Sequence, residues 1–236
     1  MIDRRWLETW IQPQHLDPAA LDTSRDCFAS HPARLVVLQN FLVPQMAQRL
    51  AQFLEKEAEF APEFGLYSHE GAVNEDAWTA AEEPDRFFRL GKLVRTPAHF
   101  QMSPNALTYL QFRKAFQRPE LRAFFEAISG LPLGWSDDFG SHAMAQGDFL
   151  RPHSDSDRHR RLALVIYLSQ DWESHFGGAL HVIDQRSEVA VIEPHFNSVI
   201  AFDVLAAPAH LVTPITQAAG ERRRLSIGGW YHTPES

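Results

Sequence analysis

The chain has 236 residues, 44% of them hydrophobic and 22% charged, enough to bury a core and ordinary for a water-soluble globular protein. A net charge of −8 and a pI near 5.8 argue against a nucleic-acid partner. No apolar run approaches the roughly 20 residues of a membrane span, and MIDRRWLETW has no signal-peptide core. The lone cysteine, Cys27, excludes an internal disulfide framework and any Cys-rich zinc or iron–sulfur site, so the expected location is the cytoplasm.

In chain order, the first thirty or so residues are polar and irregular, with a short helix expected in DPAALDTSRDCF. RLVVLQNFL, residues 34–42, is a short apolar run with strand character. Pro44 suits a helix start, and QMAQRLAQFLEKEAEF carries apolar residues at 46, 50, 53 and 54, a helical stripe. Residues 61–95 are acidic and broken by Gly and Pro; they read as surface loops that could form a lid. A second helical block spans roughly 104–129.

From about residue 139 the pattern changes. Short apolar segments recur between turn signals: HAMAQGDFLR, RLALVIYLS, GALHVID, EVAVIE, NSVIAFDV, HLVTPI and RRLSIGGWYH. Such spacing predicts an all-β sandwich or barrel for this half. We expect a single unit over 1–236, with 1–130 a mainly helical support and 131–236 the β-roll.

FLRPHSDSDRHRR, residues 149–161, crowds His153, Asp155, Asp157 and His159 together. Residues two apart on a strand share a face, so His153 and Asp155 can point into a roll together. Alone, the pair reads as a turn cap. His210, opening HLVTPI, can close a three-ligand face, with His175, His181, His195 and His232 as competitors. Two histidines and one carboxylate leave coordination positions open, which suits non-haem Fe(II). Arg224 and Ser226, also two apart, offer a planar donor fork and a hydroxyl for an anion. Arg222 shares that parity, and Arg223 faces the other way.

At this point the chain resembles the Fe(II)- and 2-oxoglutarate-dependent dioxygenases, in their prolyl 4-hydroxylase-like branch. GDFLRPHSD, RLALVIYLSQDWESHFGGAL, PHFNSVIAFDVLAAPAHLVTPI and RRLSIGGWYH match in family order, with a fainter match at LVVLQNFLVPQMAQRL. The resemblance implies an α+β fold, a double-stranded β-helix (jelly-roll, cupin-like) core with N-terminal helices packed on it. It implies His153, Asp155 and His210 as iron ligands, and Arg224 holding 2-oxoglutarate with Tyr167 and Ser226. Trp230 would line the pocket wall, and Asp157 and His159 would flank the metal or the entrance. Met144 stands where many members carry tyrosine, and Ala179 where the Gly-Gly turn is usually followed by an acid. Asp155 argues against the halogenating variants, which lack that carboxylate.

The implied activity is hydroxylation of an unactivated C–H, of a prolyl or other residue in a peptide or protein. With Fe(II) as the bound metal and ascorbate as accessory reductant, 2-oxoglutarate and O2 would be consumed, releasing succinate and CO2. The ending RRLSIGGWYH is most similar to the branch acting on ribosomal and other intracellular proteins. A free amino acid or small peptidic metabolite is the alternative substrate. A non-catalytic β-roll that binds or senses is a second alternative, and a zinc hydrolase, which would leave Arg224 without a purpose, is a third. The sequence leaves the oligomeric state open.

Overall fold

RLALVIYL is apolar at every position after its arginine, the mark of a strand covered on both faces. In the computed structural model, which describes residues 4–94, 102–136, 139–156 and 159–234, it forms β7 (Arg160–Tyr167). β7 lies between β10 (Ser198–Asp203) and β12 (Arg224–His232), antiparallel to both. Alternate residues go to opposite sides. Leu162, Leu164 and Ile166 pack with Val199, Ala201, Leu225, Ile227 and Tyr231 against the helices. Ala163 and Tyr167 pack with Ile200 and Phe202 inside a roll, with Val165 and Trp230 beside them.

The ladder extends from β1 (Leu35–Leu38) through β10, β7 and β12 to β5 (Phe139–Met144) and β4 (Arg86–Leu93). It continues through β6 (Phe149–His153), β11 (Ala209–Val212), β8 (Leu180–Ile183) and β9 (Val189–Ile192). β4 is the turning point: Gly91 and Lys92 pair with β5, and Phe88 and Arg89 pair with β6. The sheet therefore curls over itself, giving the jelly-roll core expected from the sequence.

The helices cover one face. α1 (Arg4–Leu7), α2 (Pro18–Ser30), α3 (Pro44–Gln52), α5 (Pro104–Ala115) and α6 (Pro119–Ser129) bring Phe28, Leu50, Phe112 and Phe125 onto it. Asp17 and Ser103 cap α2 and α5 through side-chain acceptors, and proline opens α2, α3, α5 and α6 where no N–H is missed. Phe116 stacks on Phe139 of β5 with centroids 3.9 Å apart, tying helix to sheet. Among the described residues no helix is long and apolar enough to cross a membrane.

Three expectations need correction. Residues 61–95 are not loops through their described part, which ends at 94. They form β2 (Phe60–Leu66), β3 (Ala72–Val73), α4 (Glu75–Ala80) and β4, so this stretch extends the sheet. HAMAQGDFLR is two strands, β5 and β6, folded back at Ala145–Asp148, where Asp148 accepts from Ala145 N at 2.8 Å. The helix at DPAALDTSRDCF is longer than expected, 13 residues ending at Ser30.

Candidate metal centre and anion clamp

β6 ends on His153, and β11 lies beside it in a register that sets His210 directly opposite. The two imidazoles are 4.1 Å apart, centre to centre. Asp155, just past the strand end and 5% exposed, turns back between them. Its Oδ1 is 3.6 Å from His153 Nε2 and its Oδ2 is 3.2 Å from His210 Nε2. One donor atom from each residue lies within 4.8 Å of the others, and among the described residues this is the one such cluster.

Charge is arranged to suit a cation. Burial raises the Asp155 carboxyl pKa, but the hydrogen bond and charge of His210, then His153 and Trp230, outweigh it and hold the group below its usual range. Burial and the neighbouring His210 push His153 down to about 4, so its ring is neutral. His153 Nδ1–H donates to the Arg151 carbonyl at 3.0 Å, leaving Nε2 as a lone pair on the triad side. A neutral imidazole nitrogen, a second imidazole and a carboxylate oxygen converging within 4.8 Å of one another fit a divalent ion such as Fe(II).

The competing histidines lie elsewhere. His210 pairs with Val182, so His181 faces outward opposite Leu211 and Val191. His195 sits in the turn before β10, where its carbonyl accepts from Ser198 Oγ. His175 lies 3.4 Å from Glu173, and His232 pairs with Arg160 at the end of β12. His159 stands at the start of β7 outside the triad, and Asp157 lies outside the described residues.

Arg224 opens β12 opposite Met144 and is 3% exposed. Its Nη1 approaches Met144 Sδ at 3.6 Å and its guanidinium carbon lies 4.9 Å from the centre of the Tyr167 ring. Arg224 Nε and the Tyr167 hydroxyl are both buried without a hydrogen-bond partner. Burial lowers the Arg224 pKa and raises that of Tyr167, each partly offset by the other's presence. A buried cation with unused donors is costly unless an anion meets it. Ser226 follows on the same face, directly across from Tyr167. The Gly-Gly turn makes room: a Cβ on Gly178 would lie 2.7 Å from Arg224 Cδ.

The sequence missed several supports. Trp230, expected only as pocket wall, donates Nε1–H to Asp155 Oδ2 at 2.7 Å. The Arg160 guanidinium lies 3.6 Å over the Trp230 ring and 3.7 Å from Asp155 Oδ1. Phe87 on β4 meets His153 edge-on at 5.4 Å, Tyr67 stacks on Phe87 at 4.8 Å, and Tyr67 donates to the Pro152 carbonyl at 2.9 Å. Tyr67 and Phe87 thus brace His153 from outside. Only the parity of Trp230 with Arg224 hinted at any of this.

Residues 139–232 match the family model described as 2OG-Fe(II) oxygenase superfamily. Prolyl 3-hydroxylase OGFOD1 of Mus musculus is 29% identical over 121 residues, covering 49% of this chain and 22% of that protein. Prolyl 3-hydroxylase sudestada1 of Drosophila melanogaster is 24% identical over 97% of this chain and 40% of its own. The chain thus spans less than half the length of these curated relatives. A crystal structure of a Pseudomonas putida prolyl-4-hydroxylase shares the fold, with a TM-score of 0.60, 21% identity, and coverage of 91% of this chain and 100% of that one.

Proposed function

The chain belongs to the 2OG-Fe(II) oxygenase superfamily, in its prolyl hydroxylase-like branch, and from that premise we propose that it hydroxylates a prolyl residue in a peptide or protein. The observation that carries the reading is the convergence of His153, Asp155 and His210 in the same roll as a buried Arg224 and Tyr167 that have unused polar atoms. His153, Asp155 and His210 would hold Fe(II), and Arg224, Tyr167 and Ser226 would hold 2-oxoglutarate. Once bound, iron and cosubstrate supply the oxidation: one atom of O2 enters the substrate C–H and the other enters succinate as CO2 leaves.

The chain's own residues bind, orient and shield. Arg224 grips a carboxylate through paired N–H donors, and its fixed fork sets the direction of the diacid. Trp230 and the Arg151 carbonyl hold Asp155 and His153 in their ligating orientations. Phe87 and Phe202 meet the two imidazoles edge-on and set apolar rings beside them. Exposed Glu75, Asp76, Glu82 and Glu83 lie in the segment beside β4. They would steer a cationic peptide towards the site by long-range attraction. The net charge of −8 favours no nucleic-acid partner, and the free, exposed Cys27 suits the cytoplasm.

The test uses the purified chain with Fe(II), 2-oxoglutarate and ascorbate, presented with proline-containing peptides and with free amino acids. We expect succinate and a hydroxylated peptide by mass spectrometry. Hydroxylation confined to free amino acids would move the substrate to the metabolite class. Failure to bind Fe(II) and 2-oxoglutarate would leave a β-roll without this chemistry.

A further inference from the structure

β5 carries a histidine used by neither the triad nor the clamp. His142 stands directly across from Ser226, which itself stands across from Tyr167 on the other side. The three share one row on the roll face, a single step from the opposed pair Arg224 and Met144. The His142 ring leans back along its strand: a Cβ on Gly140 would lie 3.5 Å from His142 Cε1. Burial depresses its pKa to about 4, with Lys92 and Arg224 adding to the effect and Glu63 opposing it. Near neutral pH the ring therefore offers one N–H and carries no charge against Arg224.

The adjoining position shows what such a donor would do. Met144 stands directly across from Arg224, and its sulfur accepts weakly from Arg224 Nη1. A thioether has no proton to give a carboxylate. His142 lies two residues earlier on the same strand face and supplies one.

Resting on the reading of this site as a 2-oxoglutarate pocket, we propose that His142 is a cosubstrate-binding residue whose neutral imidazole donates to the 2-oxoglutarate held by Arg224, supplying a donor that Met144 lacks. The full chain is titrated calorimetrically with 2-oxoglutarate in the presence of Mn(II), with no peptide, and separately with Mn(II) alone. Replacing His142 by Phe, which keeps the size and removes the donor, should weaken 2-oxoglutarate about tenfold or more and leave Mn(II) affinity unchanged. His142→Gln keeps an N–H and should stay near the parent value. Adding Met144→Tyr to His142→Phe should recover most of the loss. Unchanged 2-oxoglutarate affinity in His142→Phe overturns the inference and leaves the cosubstrate reading standing. So does a parallel loss of Mn(II) affinity, which marks a damaged pocket rather than a missing donor. A parent protein that binds Mn(II) but not 2-oxoglutarate overturns the cosubstrate reading itself.

Discussion

The two faces of the β10–β7–β12 sheet are built from the same strands and do opposite work. On the helix side, Leu162, Leu164, Ile166, Leu225, Ile227 and Tyr231 are apolar apart from one hydroxyl, which Tyr231 donates to the Phe116 carbonyl at 3.0 Å. On the roll side stand Tyr167, Arg224, Ser226 and Trp230, with polar atoms aimed at the site or left unpartnered. Stability and chemistry are therefore interleaved at a period of two residues. A slip of one residue in register would bury the arginine against the helices and turn leucine towards the metal. The strong apolar packing behind the sheet holds that register, and so the buried charge in front is tolerated.

The sharpest way to separate the faces is to empty the site while keeping the scaffold. His153→Ala, Asp155→Ala and His210→Ala should each reduce turnover below detection and preserve the circular dichroism of the parent. Asp157→Ala and His159→Ala should retain measurable activity. Iron-dependent turnover surviving in His210→Ala but lost in His181→Ala would place the third ligand on the wrong strand face.

Neighbouring positions on β12 permit a finer test. Ile227 is 1% exposed among the helices, so Ile227→Ala should lower unfolding free energy by about 2–5 kcal/mol, read from urea midpoints, with 2-oxoglutarate affinity little changed. Ser226→Ala should do the reverse, weakening 2-oxoglutarate about two- to tenfold, the worth of one neutral hydrogen bond, at small cost in stability. Two equal stability losses would mean that the strand does not divide its labour.

The arginines extend the comparison by one more alternation. Arg224→Lys replaces a fork by a point charge and should weaken 2-oxoglutarate roughly ten- to a hundredfold in a binding titration. Arg223 lies on the helix side, 5.3 Å over the Phe60 ring, with Nη2 donating to the Glu55 carbonyl at 3.0 Å. Arg223→Lys should change affinity little, and a strong effect there would contradict the observed register.

The two faces also differ in how much of them could be read from the chain alone. The meeting of His153, Asp155 and His210 was legible because strand parity converts spacing into direction, and the order of four motifs pointed to His210 over the competing histidines. The Trp230–Asp155 bond was not, because it joins positions 75 apart in sequence and depends on how the roll closes. β2 and β4 were missed for a local reason. FAPEFGL contains Pro62 and Gly65, which read as breakers, yet β3 pairs with β2 at Phe64 and Gly65 and not at Pro62, so the proline stands where one side of the strand has no partner in the ladder. Gly65 is needed because the Phe88 ring lies across it: a Cβ there would fall 2.2 Å from Phe88 Cε1. That contact is a tertiary fact with no periodic signature.

A further effect is expected in the pH dependence of stability, and it too divides the faces. In the metal-free protein His142 and His153 are both held at about 4, against 6.5 for an unburied histidine. Between these values the unfolded chain binds protons that the folded chain refuses, so stability rises with pH across the window. The contribution is complete above about pH 6.5 and is lost progressively as pH falls towards about 4. Urea midpoints measured across this range should slope downward on acidification. His142→Phe should flatten the slope without removing it, since His153 still titrates in the same sense. Ile227→Ala, on the helix face, should lower the whole curve and leave its slope unchanged. A slope identical to the parent's in His142→Phe would show that the folded protein accepts a proton on this imidazole as readily as the unfolded chain does.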